Sequence, residues 1–309
     1  MTQQLLRVNT LADLSDRRPT YLALGSFDGV HIGHQAILRK MVAQARLDGV
    51  RSAVLTFFPH PRRLLSGEEG RFYINTLEDR AALLAETGVD WVIIHPFNDT
   101  VRSTRAGEFV DQLVTHLDMR QIWGGSFSFG YQREGNLEFL RREGARLGFE
   151  PRLVTSLEMF DGRLVSSSRV RHALGIGDFA EVNGCLGRMH SVYGEVVRGD
   201  QRGRTIGFPT ANLGLWDELL LPADGVYAAY GWLGETRYAA AVNVGVRPTV
   251  DGRDRAVEAY LLDFDREIYG ESLRLAFDHR IRSEKRFAGL DELKAQIASD
   301  VASVRQSLS

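Results

Sequence analysis

Tyr21-Leu22-Ala23-Leu24-Gly25-Ser26-Phe27-Asp28-Gly29-Val30-His31-Ile32-Gly33-His34 is an apolar run that breaks at glycines and enters a helical pattern. Tyr21 to Gly25 reads as a buried strand, and Ile32 to Asp48 reads as a helix from its i, i+3, i+4 apolar spacing. Such a turn lies at the carboxyl edge of a sheet, where α/β proteins bind ligands. The free N–H groups of the helix start and its dipole attract anions, and glycine lets a phosphate approach the backbone. Two histidines add charge or hydrogen bonds. The set suits a triphosphate, with Gly25, Phe27, Asp28 and Gly33 as its frame and His31 and His34 as the active groups.

Outward from this turn the pattern repeats. Ser52 to Phe57, Trp91 to His95 and Gln121 to Trp123 read as strands, and Leu77 to Thr87 and Gly107 to Leu117 as helices. Alternation of this kind gives a doubly wound, mostly parallel sheet. After a helical stretch from Val170 to Leu186 the rhythm changes. Short strands broken by Gly, Pro and Asp follow, including Ser191 to Val197, Val226 to Trp232 and Tyr238 to Val244, which suggests a small antiparallel barrel. Leu290, Leu293, Ile297, Val301 and Val304 then share one face of a C-terminal helix. The change of pattern near Gly184 to Arg188 divides the chain into residues 1–186 and 187–309.

Composition narrows the function. The 309 residues are 44% hydrophobic and 25% charged, an ordinary globular balance long enough for two domains. A net charge of -2 supplies no basic field for nucleic acid or an anionic membrane, so small molecules are the expected partners. The single cysteine, Cys185, cannot form an internal disulfide, which fits a reducing cytoplasm. The first residues lack signal-peptide blocks, and no apolar run approaches the ~20 residues that span a bilayer. Lysine occurs only at Lys40, Lys285 and Lys294, none in a glycine-rich GK[ST] string, so a P-loop is excluded. Phosphate must be held by backbone N–H groups, histidine, arginine or a metal. The sequence is silent on oligomeric state.

Three further segments belong with the first turn. Val165-Ser166-Ser167-Ser168-Arg169-Val170-Arg171 places serine hydroxyls at a helix start with an arginine one turn in, and Thr56-Phe57-Phe58-Pro59-His60-Pro61 and Gly124-Gly125-Ser126-Phe127-Ser128-Phe129-Gly130 sit at strand ends. HxGH at a strand-to-helix turn resembles the nucleotidylyltransferase superfamily, and the serine segment resembles its ISSTxIR element. The resemblance implies that His31 and His34 bind ATP phosphates and stabilise the charge of departing pyrophosphate, and that Ser166, Ser167, Ser168 and Arg171 grip the same phosphates. The other two segments resemble the TFxPHP and GxDFxFG elements of the prokaryotic family that joins riboflavin kinase to FAD synthetase. Phe58, His60, Ser126 and Phe127 are therefore candidates for the flavin side, since aromatics stack on an isoalloxazine ring. Ser126 departs from that family, which has an acidic residue or asparagine there; a short hydroxyl carries no charge.

The second half holds the densest motif. Gly194 to Asp200 and Gly203-Arg204-Thr205-Ile206-Gly207-Phe208-Pro209-Thr210-Ala211-Asn212 make a glycine-rich loop stiffened by Pro209, with two oxygen ligands of the kind Mg²⁺ prefers. Leu221 to Tyr227, Asn243 to Thr249 and Val257 to Phe264 follow in the order and spacing of riboflavin kinases. By that resemblance Glu258 is the general base, Thr210 and Asn212 hold Mg²⁺, Gly207 and Pro209 line the ATP loop, and Arg282 contacts flavin. The whole chain thus resembles a Rossmann-like nucleotidylyltransferase domain followed by a riboflavin kinase barrel. It is expected to phosphorylate riboflavin to FMN and adenylylate FMN to FAD using ATP. The alternative is riboflavin kinase alone, with an N-terminal domain impaired in adenylylation.

Overall fold

The computed structural model describes residues 3–155, 158–199, 203, 206–249 and 252–308, without the side chains of 247–249 and 252–254. Its contacts group Met1–Gly70 with Asn75–Ser166 as one unit, and Arg71–Ile74 with Ser167–Ser309 as the other.

In the first unit, strands β1 (Gln4–Arg7), β2 (Thr20–Leu24), β3 (Arg51–Phe58), β4 (Trp91–Pro96), β5 (Met119–Gly124) and β6 (Glu150–Leu153) form one sheet in the order β1-β4-β3-β2-β5-β6. Every neighbouring pair is parallel. Helices α1 (Ile32–Asp48), α2 (Pro61–Ser66), α3 (Leu77–Ala85), α4 (Asp99–Ser103), α5 (Ala106–Leu117) and α6 (Leu137–Leu147) alternate with the strands. The central strands are apolar on both faces because both are covered. Leu22, Leu55, Ile93 and Ile122 point to α5 and α6 through Phe109, Leu113 and Leu140. Their neighbours Ala23, Val54 and Val92 point to α1 and α3 through Leu38, Met41 and Leu84.

The strand order reverses at β2. β3 and β4 lie on one side of it and β5 and β6 on the other, so the carboxyl ends of β2 and β5 flank a topological switch point, where open α/β sheets bind ligands. Sequence reading found β2 to β5 and α1 to within a few residues. It did not find β1 or β6, because edge strands this short and exposed show no alternation, and β6 carries Pro151. A small hairpin, β7 (Met159–Phe160) with β8 (Arg163–Leu164), turns through Asp161 and Gly162 at φ 50° and 68°, the pair of positive angles an Asp-Gly turn supplies.

In the second unit, β9 (His190–Val197), β10 (Ala211–Gly214), β11 (Gly225–Leu233), β12 (Thr236–Thr249), β13 (Gly252–Leu261) and β14 (Ser272–Ser283) close an antiparallel barrel in the order β10-β13-β12-β11-β14-β9. On β9 the buried His190, Val192, Gly194 and Val196 alternate with Ser191, Tyr193, Glu195 and Val197, the period-2 signature of a strand with one covered face. The helical stretch expected from Val170 is two helices, α7 (Ser167–Ile176) and α8 (Phe179–Leu186), separated at Gly177, whose φ of 76° ends the first. Phe179 stacks on Phe277 with ring centroids 5.2 Å apart. The closing helix α9 (Leu290–Ser307) packs Val304 on Ala228 and Leu262, with Val301 alongside. Leu290, expected on that face, is exposed because it sits at the first turn, before the helix reaches the barrel wall.

Candidate active sites

The first site is the loop between β2 and α1. His31 is the N-cap of α1, its Nδ1 accepting a hydrogen bond from the His34 backbone N–H at 3.3 Å. The two imidazoles stack with centroids 3.6 Å apart, and the Phe27 ring stands edge-on to His34 at 5.1 Å. Gly33 leaves room for this stack, since a Cβ there would stand a tight 3.2 Å from His31 Cε1 and Nδ1 and push the ring aside by a few tenths of an ångström. His34 is half-buried, yet its Nδ1 is enclosed and has no hydrogen-bonding partner among the described residues. Desolvation first, then His31 and Arg80, push the His34 pKa well below the usual histidine value, so the ring is neutral and carries one N–H to donate.

The loop is strained. Phe27, Gly29 and Val30 have φ of 49°, 83° and 40°, and for a β-branched residue such as Val30 this is an outlier. Asp28, expected beside the phosphates, is instead turned inward: it is buried, with its carboxylate 3.7 Å from the equally buried Arg80 guanidinium of α3. Sequence reading missed Arg80. The signal was present, because Leu77, Arg80, Ala81 and Leu84 form one buried stripe with an arginine inside it.

The segments after β3 and β5 leave the same sheet edge. His60 caps α2, its Nδ1 accepting from Arg62 N–H at 3.1 Å, and Phe58 is partly buried against the α1 side of the core. Phe127 folds back on Gly124, where a Cβ would come within 2.9 Å of its ring, and Ser126 is exposed. Ser166 precedes α7 and Ser167 and Ser168 begin it, with Ser168 exposed. Arg171, one turn on, donates from Nε to the Phe72 carbonyl at 3.0 Å and lays its guanidinium 4.2 Å over the Phe72 ring.

The second site is a cleft of about 260 Å³ lined by Gly199, Thr210, Asn212, Ala259, Ile268 and Tyr269, among others. Asn212 on β10 is paired directly with Glu258 on β13, and Glu258 in turn with Asn243 on β12. Directly opposed residues of antiparallel strands present their side chains on one face, so the three form a row across the barrel wall. Asn212 is buried and Gly199 lies against its amide: a Cβ on Gly199 would stand 2.5 Å from Cγ and Nδ2 and 2.6 Å from Oδ1. Gly207, at φ 88°, and Pro209 are exposed on the loop leading to Thr210. Asp200, Arg204 and Thr205 lie outside the described residues. The cleft also includes Phe264, the last residue of the Val257 to Phe264 segment, and Arg266, which sequence reading did not single out because it sits in an irregular segment after β13. Arg282 is engaged elsewhere, its Nε and Nη2 both donating to the buried Asp300 carboxylate of α9 at 2.8 to 3.0 Å.

The residues present fit a divalent ion in one respect. Thr210 and Asn212 both line one cleft and each carries a side-chain oxygen, and two such ligands would leave most of a Mg²⁺ shell to phosphate oxygens and water, as this ion prefers.

Comparison with known proteins matches both halves of the chain. A family model described as FAD synthetase matches residues 13–169, and one described as riboflavin kinase matches residues 186–308. The bifunctional riboflavin kinase/FMN adenylyltransferase of Escherichia coli (strain K12) is 38% identical over 290 residues, covering 92% of this chain and 91% of that protein. The protein of the same name from Bacillus subtilis (strain 168) is 34% identical over 291 residues, covering 92% and 91%. A solved structure described as a macrolide-efflux protein from Streptococcus pneumoniae superposes with a TM-score of 0.88 at 30% identity, covering 97% of this chain and 98% of that one. Among the described residues of this chain, no helix is long and apolar enough to cross a membrane. With both halves matched in order and relatives similar along nearly their whole length, the chain belongs to the bifunctional riboflavin kinase/FMN adenylyltransferase family.

Proposed function

We propose that the chain makes FAD from riboflavin in two ATP-dependent steps divided between residues 1–186 and 187–309. The observation that carries the kinase step is the direct cross-strand pairing of Glu258, which is not itself among the residues lining the cleft, with Asn212, which lines it together with Thr210. Glu258 takes the proton of the ribityl hydroxyl as that oxygen attacks the γ-phosphorus of ATP, and ADP departs. Thr210 and Asn212 would hold Mg²⁺, which when bound would supply neutralisation of phosphate charge. Gly207 and Pro209 shape the loop over the nucleotide. Phosphoryl transfer needs little beyond alignment, charge neutralisation and one nearby carboxylate.

In the adenylyl step a phosphate oxygen of FMN attacks the α-phosphorus of ATP, the bond to the bridging oxygen of the β-phosphate breaks, and pyrophosphate leaves. His31 and His34 meet the departing charge at the start of α1, with Gly25, Phe27 and Gly33 giving the phosphates room and Asp28 anchoring the loop from below. Ser166, Ser167, Ser168 and Arg171 supply further phosphate contacts. Phe58, His60, Ser126 and Phe127 form the flavin side of this step, and Arg282 that of the kinase. The near-neutral charge, the lone Cys185 and the absence of a membrane-spanning helix among the described residues support work on small molecules in the cytoplasm.

The test is incubation of the purified chain with riboflavin, ATP and Mg²⁺, with FMN and FAD separated by chromatography. Both products are expected, and chelation with EDTA should stop FMN formation until Mg²⁺ is restored. FMN without FAD, even when FMN is supplied, would leave riboflavin kinase alone.

A further inference from the structure

Burying an arginine costs several kcal/mol unless its donors are met, and a leucine would fill the same place on the α3 stripe. Arg80 is fully buried there all the same. Its Nη1 donates to the Ser26 carbonyl at 3.1 Å and reaches the Phe57 carbonyl at 3.5 Å, while Nη2 stands 3.7 Å from Asp28 Oδ1. The Ser26 carbonyl also accepts from the Thr56 hydroxyl at 3.0 Å. One guanidinium therefore ties the end of β3 to two points of the loop that follows β2. That loop contains the strained Phe27 and Val30, conformations that cost about 1–3 kcal/mol each and persist only where the surroundings enforce them. The chain that Arg80 enforces runs without a break into His31, the cap of α1, and from there into the His31–His34 stack.

We propose that Arg80 is a positioning residue for adenylyl transfer: from beneath the loop, with Asp28 as its partner, it sets where His31 and His34 stand when pyrophosphate leaves. This rests on the adenylylation reading of the His31–His34 site. A second consequence separates the role from simple packing. The charged and titratable groups facing His34 are His31 and Arg80, with Asp28 paired to the latter. The Arg80 charge helps keep His34 neutral, and its removal lets His34 take up a proton at higher pH.

The experiment compares the full chain with its Arg80→Met, Arg80→Lys and Asp28→Asn variants, measuring FAD formation from supplied FMN and FMN formation from riboflavin in the same preparations. Arg80→Met should lower kcat for FAD formation about 100-fold, the scale of a ~1 Å misplacement, with a smaller change in the ATP KM and riboflavin phosphorylation within about twofold. The acid limb of its adenylylation profile should move to higher pH. Arg80→Lys, which keeps charge but lacks the planar fork that meets the carbonyls from one nitrogen and Asp28 from another, should lower kcat with that limb unmoved. If Arg80→Met loses both activities it has not folded, and Arg80→Lys with Asp28→Asn decide, since both keep side-chain volume. Variants that form FAD within threefold of the parent, with the same pH profile, would overturn the inference. A parent chain that forms no FAD would instead overturn the reading of the site.

Discussion

Gly199→Ala is the sharpest probe of the kinase half. The new Cβ would lie 2.5 Å from Cγ and Nδ2 of Asn212, roughly 1 Å inside an ordinary carbon contact of about 3.5 Å. Only a side-chain amide lies in its way, so the backbone stays and the amide swings aside. The stability change should be moderate, about 1–3 kcal/mol, the cost of forcing a buried side chain out of its place. The functional change should be large, because that amide is the proposed oxygen ligand opposite Glu258, and a ~1 Å misplacement costs about 100-fold, or about 2.7 kcal/mol of transition-state stabilisation. The assay is kcat/KM for riboflavin phosphorylation, with FAD formation from supplied FMN as the internal control. A Gly199→Ala protein that phosphorylates riboflavin within threefold of the parent would refute the requirement for Asn212 at that position.

Three further outcomes are expected. Glu258→Gln should lower kcat for FMN formation by about 100- to 10,000-fold, the range lost with a general base, with little change in riboflavin KM and with FAD formation from FMN retained. His190, buried with neither ring nitrogen hydrogen-bonded among the described residues, has its pKa pulled down to about 3 by desolvation. Its folded form refuses a proton that the unfolded chain accepts near pH 6.5, so stability falls as pH drops between those values, by about 1.4 kcal/mol per pH unit at the steepest. Urea unfolding of His190→Leu should therefore show about 2 kcal/mol less loss than the parent between pH 7 and pH 5, and parallel losses would refute the assignment. Asp300→Ala should destabilise the barrel unit by about 3 kcal/mol, because it strands the Arg282 guanidinium that it now meets at 2.8 Å, and thermal unfolding with kinase activity as the probe would measure it.

Much of the site was legible in the sequence because its signals are local. The bounds of α1 follow from apolar spacing and from a histidine placed to cap the helix, and Gly33 is explained by the ring it must clear. The Thr210–Asn212 loop and Glu258 carry their resemblance to riboflavin kinases within short segments of sequence. Asp28 shows the limit. Between glycines beside two histidines it looks like a ligand-facing carboxylate, and nothing within several residues of it reveals that Arg80 waits beneath. Arg171 likewise reads as a phosphate contact and Arg282 as a flavin contact, whereas one lies on Phe72 and the other is held by Asp300.

The sequence by itself determined which residues are chemically able to act: paired histidines at a helix start, a serine-rich second helix start, and a carboxylate with two oxygen donors. Only the tertiary structure decided which of them meet. The reversal of strand order at β2, the register that sets Asn212 against Glu258 and Asn243, and the seat of Arg80 under the histidine loop all arise from pairings between distant segments. Helix caps and turns are fixed by interactions a few residues long, but sheet order and register are chosen by the burial of whole faces, which no local window contains.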